Sequence, residues 1–351
     1  MHINNINIKN FRLFENLTFP PSSKINLIIG NNGVGKSTLL EAIYLLARNK
    51  SFRTKNTSSL INNQAVEFLI TANLTSDFGH NFHIGLKKTT NMTELHIAGK
   101  KQRRLTEQAR VIPMGIITTN TQKFFTDGPK VRRKFLNWSV FHVEHGYAEI
   151  VAKYNKILLQ RNTALRNQNR NYRIWDLQLI EYGNEIDVLR KNYINNLQLI
   201  FLDQVKYFDY LKDIEIMYKQ GWKKDISLSE AIANSNDEIN KYTYNGPQRA
   251  DIEIYINNVS VSECLSSGQL KVLSILLILS QLNITKKVRQ ESPILLIDDF
   301  QSEIDKTNMK KILQLIRNLD CQTFITSINL DKYFESDSDD RLFHVEHGEI
   351  Y

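Results

Sequence analysis

A glycine-rich segment between an apolar strand pattern and an apolar helix pattern constrains the fold of this 351-residue chain most strongly. The segment Gly30–Ser37 fits the spacing G-x-x-x-x-G-K-[ST], and it lies between Ile25–Ile29 and the helical run Leu39–Ala47. Glycines let the backbone wrap closely around phosphate groups, and N–H groups at a helix start attract anions. We therefore predict a nucleotide-binding loop. Its predicted contacts are Gly30, Asn31, Asn32, Gly33, Val34, Gly35, Lys36, Ser37 and Thr38.

A second motif supplies the acids that such a loop needs. The apolar run Ile294–Ile297 ends in Asp298 and Asp299. Two adjacent acids alone would fit a solvated strand end, but behind an apolar strand and downstream of a P-loop they predict a Walker B site. We expect Lys36 to reach the β- and γ-phosphates of ATP, and Ser37 and Asp298 to hold Mg²⁺. Asp299 is then the candidate for orienting or deprotonating the attacking water.

A third motif indicates the subclass of ATPase. Residues 265–269 read LSSGQ and precede an apolar helical run, which is close to the LSGGQ signature of ATP-binding-cassette ATPases. In that superfamily the signature contacts the γ-phosphate bound on the opposite subunit. The resemblance therefore implies two ATPase heads with nucleotide between them. The expected contacts across the dimer are Ser266, Ser267, Gly268 and Gln269.

The alternation of strand and helix patterns predicts an α/β fold, an ABC-type P-loop ATPase head with two lobes and an inserted helical arm. We expect the N-terminal part of the head over 1–125, the arm over 126–243 and the C-terminal part over 244–351. Within the arm, apolar residues recur at helical spacing over 150–165 and 175–197, on either side of a polar tract. This pattern favours a helical hairpin or small bundle, with separately packed helices as the alternative.

Spacing and further sequence blocks indicate the family. Lys36 and Leu265 are 229 positions apart, about twice the distance in transporter cassettes and far less than in heads that carry long coiled coils. Over nearly its whole length the chain resembles the RecF family of bacterial DNA-gap repair proteins. The resemblance rests on NFRLF (10–14), GNNGVGKSTLLEAIYLLARNKSFRT (30–54), DGPKVRRKFLNWSVFH (127–142), NGPQRAD (245–251), LSSGQLKVL (265–273) and LLIDDFQSEID (295–305).

The resemblance implies an ATP-dependent homodimer that binds single-stranded DNA and gapped duplex, notably at their junctions. It implies a slow, DNA-stimulated ATPase that works with RecO and RecR to load RecA, with roles in DNA replication and the SOS response. The segment Ser302–Asp305 resembles the D-loop, which lies along the dimer seam in related ATPases.

Several positions depart from the cassette pattern. Asp299 stands where transporter cassettes have the longer Glu, which agrees with a conformational switch rather than a fast motor. Thr326 or Ser327 occupies the position of the usual switch His. The region before Gln122 lacks the expected Pro-Glu, so the role of Gln122 stays open, as do the roles of Arg12 and Arg249.

The net charge of +8 favours an anionic partner. Three basic tracts are free of acids and predict backbone-directed, salt-sensitive DNA binding, although a solvated face explains any single tract equally well. The tracts are Arg48, Lys50, Arg53 and Lys55; Lys100, Lys101, Arg103 and Arg104; and Lys130, Arg132, Arg133 and Lys134.

The remaining patterns favour a cytoplasmic protein with no membrane partner. No signal-peptide pattern is visible, there are two cysteines, and the most apolar run, Val272–Leu282, is far shorter than the roughly 20 residues of a spanning helix. The pairs His142/His145 and His344/His347 lack a third ligand and favour ordinary structural histidines over a metal site. Three other functions stay open: a transporter-associated ABC ATPase subunit, a nuclease-associated ATPase, and a non-hydrolysing DNA clamp.

Overall fold

The computed structural model describes residues 1–102, 107–328, 338–346 and 348–351. The chain forms two compact units: unit 1 is Met1–Thr121 with Lys271–Tyr351, and unit 2 is Gln122–Leu270. These divisions differ from the predicted ones at 125/126 and 243/244. The segment after 244 stays with unit 2 because its strand pairs antiparallel with a strand that follows the arm helices.

An antiparallel sheet in unit 1 is built from alternating apolar and polar residues. Ile6 and Ile8 are fully buried, whereas the residues between and beside them are partly accessible. This alternation places one face of the sheet on the core. The strand order is β2-β1-β4-β5-β6-β7. The strands are β1 (His2–Phe11), β2 (Phe14–Phe19), β4 (Glu67–Thr75), β5 (Asn81–Thr89), β6 (Thr93–Ile97) and β7 (Lys100–Lys101).

A second, mainly parallel sheet in unit 1 confirms the predicted α/β class. Its order is β15-β14-β3-β13-β12-β8, with β15 antiparallel to β14. The central strands are buried throughout and mainly apolar, as expected for a sheet covered on both faces. The strands are β3 (Ile25–Ile29), β8 (Met114–Ile117), β12 (Ile294–Ile297), β13 (Thr323–Ser327), β14 (Arg341–Glu346) and β15 (Glu349–Ile350).

Helices cover the parallel sheet. Leu282, on the long helix α10, lies so close to Gly115 of β8 that an added Cβ would come within 2.8 Å of its side chain. α10 continues beyond the apolar run and is, by length and composition, sufficient to cross a membrane, yet 78% of its apolar window is buried inside the protein. This degree of burial is typical of a core helix of a folded domain. The helices are α1 (Lys36–Arg48), α2 (Glu107–Val111), α10 (Ser267–Arg289), which begins in unit 2, and α11 (Lys306–Leu319).

Unit 2 contains the predicted helical hairpin. α5 (Tyr147–Arg166) and α6 (Asp176–Val205) pack against each other, and their connection includes the 3-10 segment Arg170–Trp175. The predicted stripe is buried at Leu179, Ile186, Tyr193 and Leu197. The other elements are α3 (Lys123–Thr126), α4 (Pro129–Val143), α7 (Leu228–Ala233), α8 (Asp237–Asn240), α9 (Val261–Cys264), and a sheet of β9 (Ile214–Lys219), β10 (Asp251–Ile256) and β11 (Val259–Ser260) in the order β11-β10-β9.

Candidate nucleotide-binding site

Three neighbouring parallel strands of unit 1 bring the predicted site residues together. β13 lies between β3 and β12, so the carboxyl ends of all three meet at one edge of the sheet. The glycine-rich loop follows β3, Asp298 and Asp299 follow β12, and Thr326 and Ser327 end β13. Ligands of open α/β sheets bind at such carboxyl ends.

Two glycines of the loop hold backbone conformations that side chains would disturb. Gly30 has φ +153°, and a Cβ there would come within 2.5 Å of the carbonyl oxygen of Val345. Gly35 has φ +119° and would place a Cβ 3.2 Å from side-chain carbons of both Leu13 and Phe14. The loop therefore depends on glycine for its path into α1, which begins at Lys36.

Lys36 is almost fully buried at the base of the loop. Its Nζ donates to the carbonyl oxygens of Gly30 and Asn31, each at 2.7 Å. Burial lowers the pKa of this ammonium group, and the nearby carboxylates of Asp299 and Asp298 oppose the lowering. A lysine ammonium carries three donors, so two carbonyl contacts hold the group in place without exhausting its capacity.

A cluster of oxygen atoms joins the three strand ends. The Ser37 hydroxyl donates to Asp298 Oδ1 at 2.7 Å, and the Thr326 hydroxyl donates to the same oxygen at 2.9 Å. The backbone N–H of Asp299 donates to Thr326 Oγ1 at 2.9 Å. Mg²⁺ prefers hard oxygen ligands and commonly binds one or two carboxylates plus phosphate oxygens. The Ser37 hydroxyl and the Asp298 carboxylate therefore fit the predicted metal.

The residues that replace the usual switch His both face this site. Thr326 tethers the two acids, as described above. The Ser327 hydroxyl is buried, lines the same cleft and has no hydrogen-bond partner among the described residues. The sequence indicated these positions through the missing His, but the contact of Thr326 with Asp298 depends on strand order, which the sequence did not specify.

A buried carboxylate inside α1 was not singled out from the sequence. Glu41 is fully buried and accepts from Arg12 Nε at 2.5 Å and from Arg12 Nη2 at 3.0 Å. The Ser51 hydroxyl also donates to Glu41, and Arg53 Nη1 lies 3.8 Å from its Oε2. Arg12 and Arg53 both line the cleft. Glu41 thus fixes the Arg12 guanidinium beside the loop and lies within ion-pair distance of Arg53.

Replacing Arg12 should destabilise unit 1 far more than replacing Arg53. The change Arg12→Ala leaves the buried Glu41 carboxylate without its close partner, and breaking a buried pair costs about 3 kcal/mol. Arg53 is 45% exposed and more distant, so Arg53→Ala should cost less than about 1 kcal/mol. Urea unfolding of both variants measures the difference. Equal midpoints for the two variants would contradict this assignment of Glu41.

The cleft formed by these groups has a volume of about 490 Å³. Its basic groups are Arg12, Lys36 and Arg53, and its acids are Asp298 and Asp299. Backbone from the loop, the α1 N-terminus and three cations make one part of the cleft suited to phosphate. The acids and hydroxyls make another part suited to a metal and water.

Comparison with known proteins identifies the family. The family model for the RecF/RecN/SMC N terminal domain matches residues 2–351. The DNA replication and repair protein RecF of Pseudoalteromonas translucida is 35% identical over 100% of this chain and 99% of its own length. The chain belongs to the RecF family. The transporter-associated alternative is therefore not favoured, and the expected α/β ATPase head is confirmed as a RecF/SMC-type head.

Solved structures agree with membership of the RecF family. One, described as the recombination mediator protein RecF with ATP in the RecFOR pathway, has a TM-score of 0.85 and 27% identity. It aligns over 100% of this chain and 97% of its own. An Smc head bound to the C-terminal winged-helix domain of ScpA has a TM-score of 0.61 at 15% identity, aligns over 100% of this chain and 97% of its own, and shares the fold alone.

The signature segment of this RecF family member lies at an exposed helix start in unit 2. The backbone N–H of Ser266 donates to Gln269 Oε1 at 3.0 Å, and the N–H of Gln269 lies 3.4 Å from Ser266 Oγ. This reciprocal pair caps α10. Ser266 and Ser267 are exposed, and Gly268 and Gln269 are partly exposed. Gln122 is also in unit 2, where its side-chain oxygen is buried without a partner among the described residues.

The basic tracts are more heavily paired in this RecF family member than their local sequence indicated. Arg48 packs over the Tyr44 ring, and burial lowers its pKa to about 10. Arg132 forms a bidentate ion pair with Asp251, with N–O distances of 2.7 and 2.9 Å, and Lys101 forms an ion pair with Glu94. Arg103 and Arg104 lie outside the described residues, as does His347. The acids that pair with these cations come from elsewhere in the chain.

The histidines considered as metal ligands and Arg249 lie in surroundings typical of structural residues. His142 is buried against Trp138 and Phe141, and His344 lies on β14. Within the described part of the chain there is no cluster of three or more His, Cys, Asp or Glu that fits a metal ion. Arg249 stacks on two tyrosines of unit 2, Tyr242 and Tyr244.

Proposed function

We propose that this RecF family member is an ATP-driven clamp in which two copies close around two ATP molecules and thereby grip DNA. The observation that carries the proposal is the cluster in which the hydroxyls of Ser37 and Thr326 meet the Asp298 carboxylate beside Lys36. This arrangement supplies phosphate binding, metal ligands and a water-facing acid at one edge of the sheet.

Each residue of the site has a proposed part in hydrolysis. The loop residues 30–38 bind the phosphates, with Lys36 donating to the β- and γ-phosphate oxygens. Ser37 and Asp298 hold Mg²⁺, which when bound neutralises charge on the phosphate oxygens. Asp299 orients the attacking water and accepts its proton. Thr326 holds Asp298 and the backbone of Asp299 in register, and Ser327 offers a hydroxyl in place of the switch His.

Dimer closure is the proposed source of switching. The exposed residues Ser266–Gln269 of one copy contact the nucleotide of the other, and Ser302–Asp305 lies along the seam. ATP binds more tightly to the closed dimer than to the open state, so ATP shifts the equilibrium toward closure. Hydrolysis of ATP then lets the dimer open. Asp299 is shorter than Glu by one methylene, which supports a slow turnover.

The proposed ligand is single-stranded DNA and gapped duplex, bound through its backbone, with DNA accelerating hydrolysis. Membership of the RecF family supports work alongside RecR and RecO, and through them the loading of RecA, in cytoplasmic DNA repair, DNA replication and the SOS response. The net charge of +8 supports an anionic partner.

Phosphate release tests this function directly. With Mg·ATP, slow release is expected, and a gapped duplex should raise the rate. A rate that does not respond to gapped DNA would contradict DNA-stimulated switching. If no phosphate were released under either condition, the protein would instead be a non-hydrolysing clamp.

A further inference from the structure

Two sequence blocks that take no part in the nucleotide cleft meet within unit 2. Block 127–142 and block 245–251 are separated by more than a hundred positions, yet their side chains and backbones interlock. Arg132 pairs with Asp251, and Arg133 Nη1 donates to the Ala250 carbonyl at 3.0 Å. Because both blocks contribute polar groups to one place, they form a built site rather than two separate surfaces.

A cavity of about 270 Å³ lies at this junction. Four cationic side chains line it, together with uncharged amides and a tyrosine. Arg190 is 4% exposed, whereas Lys130 and Lys134 are exposed at the mouth. The lining includes Lys130, Arg133, Lys134, Asn137, Arg190 and Gln248.

Among the described residues, the cations that line the cavity form no direct ion pair with a carboxylate. Arg190 donates to three neutral oxygens, those of Tyr147, Pro247 and Asn137, at 2.9, 2.7 and 2.7 Å. Asp251 is engaged by Arg132. In the described part of the chain, no carboxylate lies within ion-pair distance of Lys130, Arg133 or Lys134. Burial lowers the pKa of Arg133, the Asp251 carboxylate opposes the lowering, and nearby Arg190 adds to it. A buried cation without a counterion favours binding an anion.

Adjacent aromatic groups favour a nucleic-acid strand over a lone anion. Arg249, which follows Gln248 in the chain, places its guanidinium carbon 4.4 Å from the Tyr244 ring centroid and 5.5 Å from that of Tyr242. Both tyrosines are exposed, at 49% and 41%. Exposed aromatic and guanidinium planes beside a basic groove are the elements that bind single strands.

We propose that this cavity of unit 2 binds a backbone phosphate of a DNA strand, at a site separate from the nucleotide cleft. This proposal rests on the proposed DNA-binding function, and it specifies which residues of the chain make part of the DNA contact. Lys130 and Lys134 meet the phosphate at the mouth, and Arg133 and Arg190 provide the positive field behind them.

Salt-dependent binding of a labelled single strand and a labelled gapped duplex tests the site. The double variant Lys130→Ala/Lys134→Ala should bind the single strand about tenfold more weakly. The slope of log affinity against log salt should fall by ~0.7, because one strand phosphate is no longer neutralised. The matched control is Lys223→Ala/Lys224→Ala, which removes two exposed charges of unit 2 outside the cavity. Lys130→Arg/Lys134→Arg should bind as the wild type does.

Each outcome has a distinct meaning. If the alanine double variant matches the Lys223/Lys224 control in affinity and slope, the cavity is not a DNA site. If the alanine double variant binds DNA as the wild type does but no longer binds millimolar inorganic phosphate, the cavity binds free phosphate instead and the proposal is wrong. If the wild type binds neither DNA, the proposed function itself fails. Melting temperatures close to that of the wild type confirm that the variants fold.

Discussion

Replacing Lys36 with alanine should weaken ATP binding by roughly a hundredfold and abolish ATP-dependent dimerisation. Lys36 Nζ is held by two loop carbonyls at the place where the β- and γ-phosphates bind in the proposed complex. Losing charge-assisted hydrogen bonds to phosphate costs about 3 kcal/mol, which is about a hundredfold in affinity. Titration calorimetry with ATP measures the loss, and sedimentation measures the association state.

The matched control is Lys87→Ala, another lysine of unit 1. Its ammonium pairs with Glu67 at 2.8 Å on the surface, an interaction worth little to stability. This variant should bind ATP as the wild type does. An unchanged ATP affinity in the Lys36 variant would defeat the assignment of the loop.

Asp299→Ala should slow hydrolysis by about a hundredfold or more while leaving ATP binding nearly intact. A positioned general base contributes about 10²–10⁴ to the rate, and a group that acts mainly in the transition state lowers kcat more than it changes binding. Because hydrolysis opens the proposed dimer, the variant dimer should persist longer after dilution. Single-turnover phosphate release and dimer lifetime give the two readouts.

Asp299→Glu is the informative companion variant. It restores the carboxylate length found at this position in transporter cassettes, so it should hydrolyse ATP at least as fast as the wild type. Normal turnover in Asp299→Ala would reject the water-positioning role. A Glu variant as slow as the Ala variant would show that hydrolysis depends on the shorter Asp carboxylate at this position.

Local sequence signals predicted much of the fold of unit 1. The apolar strand before the loop, the helix Lys36–Arg48 after it and the helix Lys306–Leu319 follow from hydrophobic periodicity and flanking residues. At the latter, Asp305 caps the helix by accepting from the N–H groups of Thr307 and Asn308, each at 3.0 Å. The end of α10 was less predictable, because the helix continues beyond the apolar run Val272–Leu282 through a more polar last turn to Arg289.

The parts of the site that were missed depend on partners distant in sequence. Glu41 sits within an apolar helical run, and its partner Arg12 is 29 positions away. The partner of Arg132 is 119 positions away, so its tract appears free of acids locally although Arg132 is neutralised. Such pairs depend on which strands become neighbours, and strand order is not encoded in the periodicity of any one strand.

Sedimentation velocity with and without Mg·ATP tests the central claim most directly. The account predicts a monomer without nucleotide and a dimer at saturating Mg·ATP, with gapped DNA sedimenting together with the dimer. A species that stays monomeric at saturating Mg·ATP, even with gapped DNA present, would contradict closure of two copies around ATP.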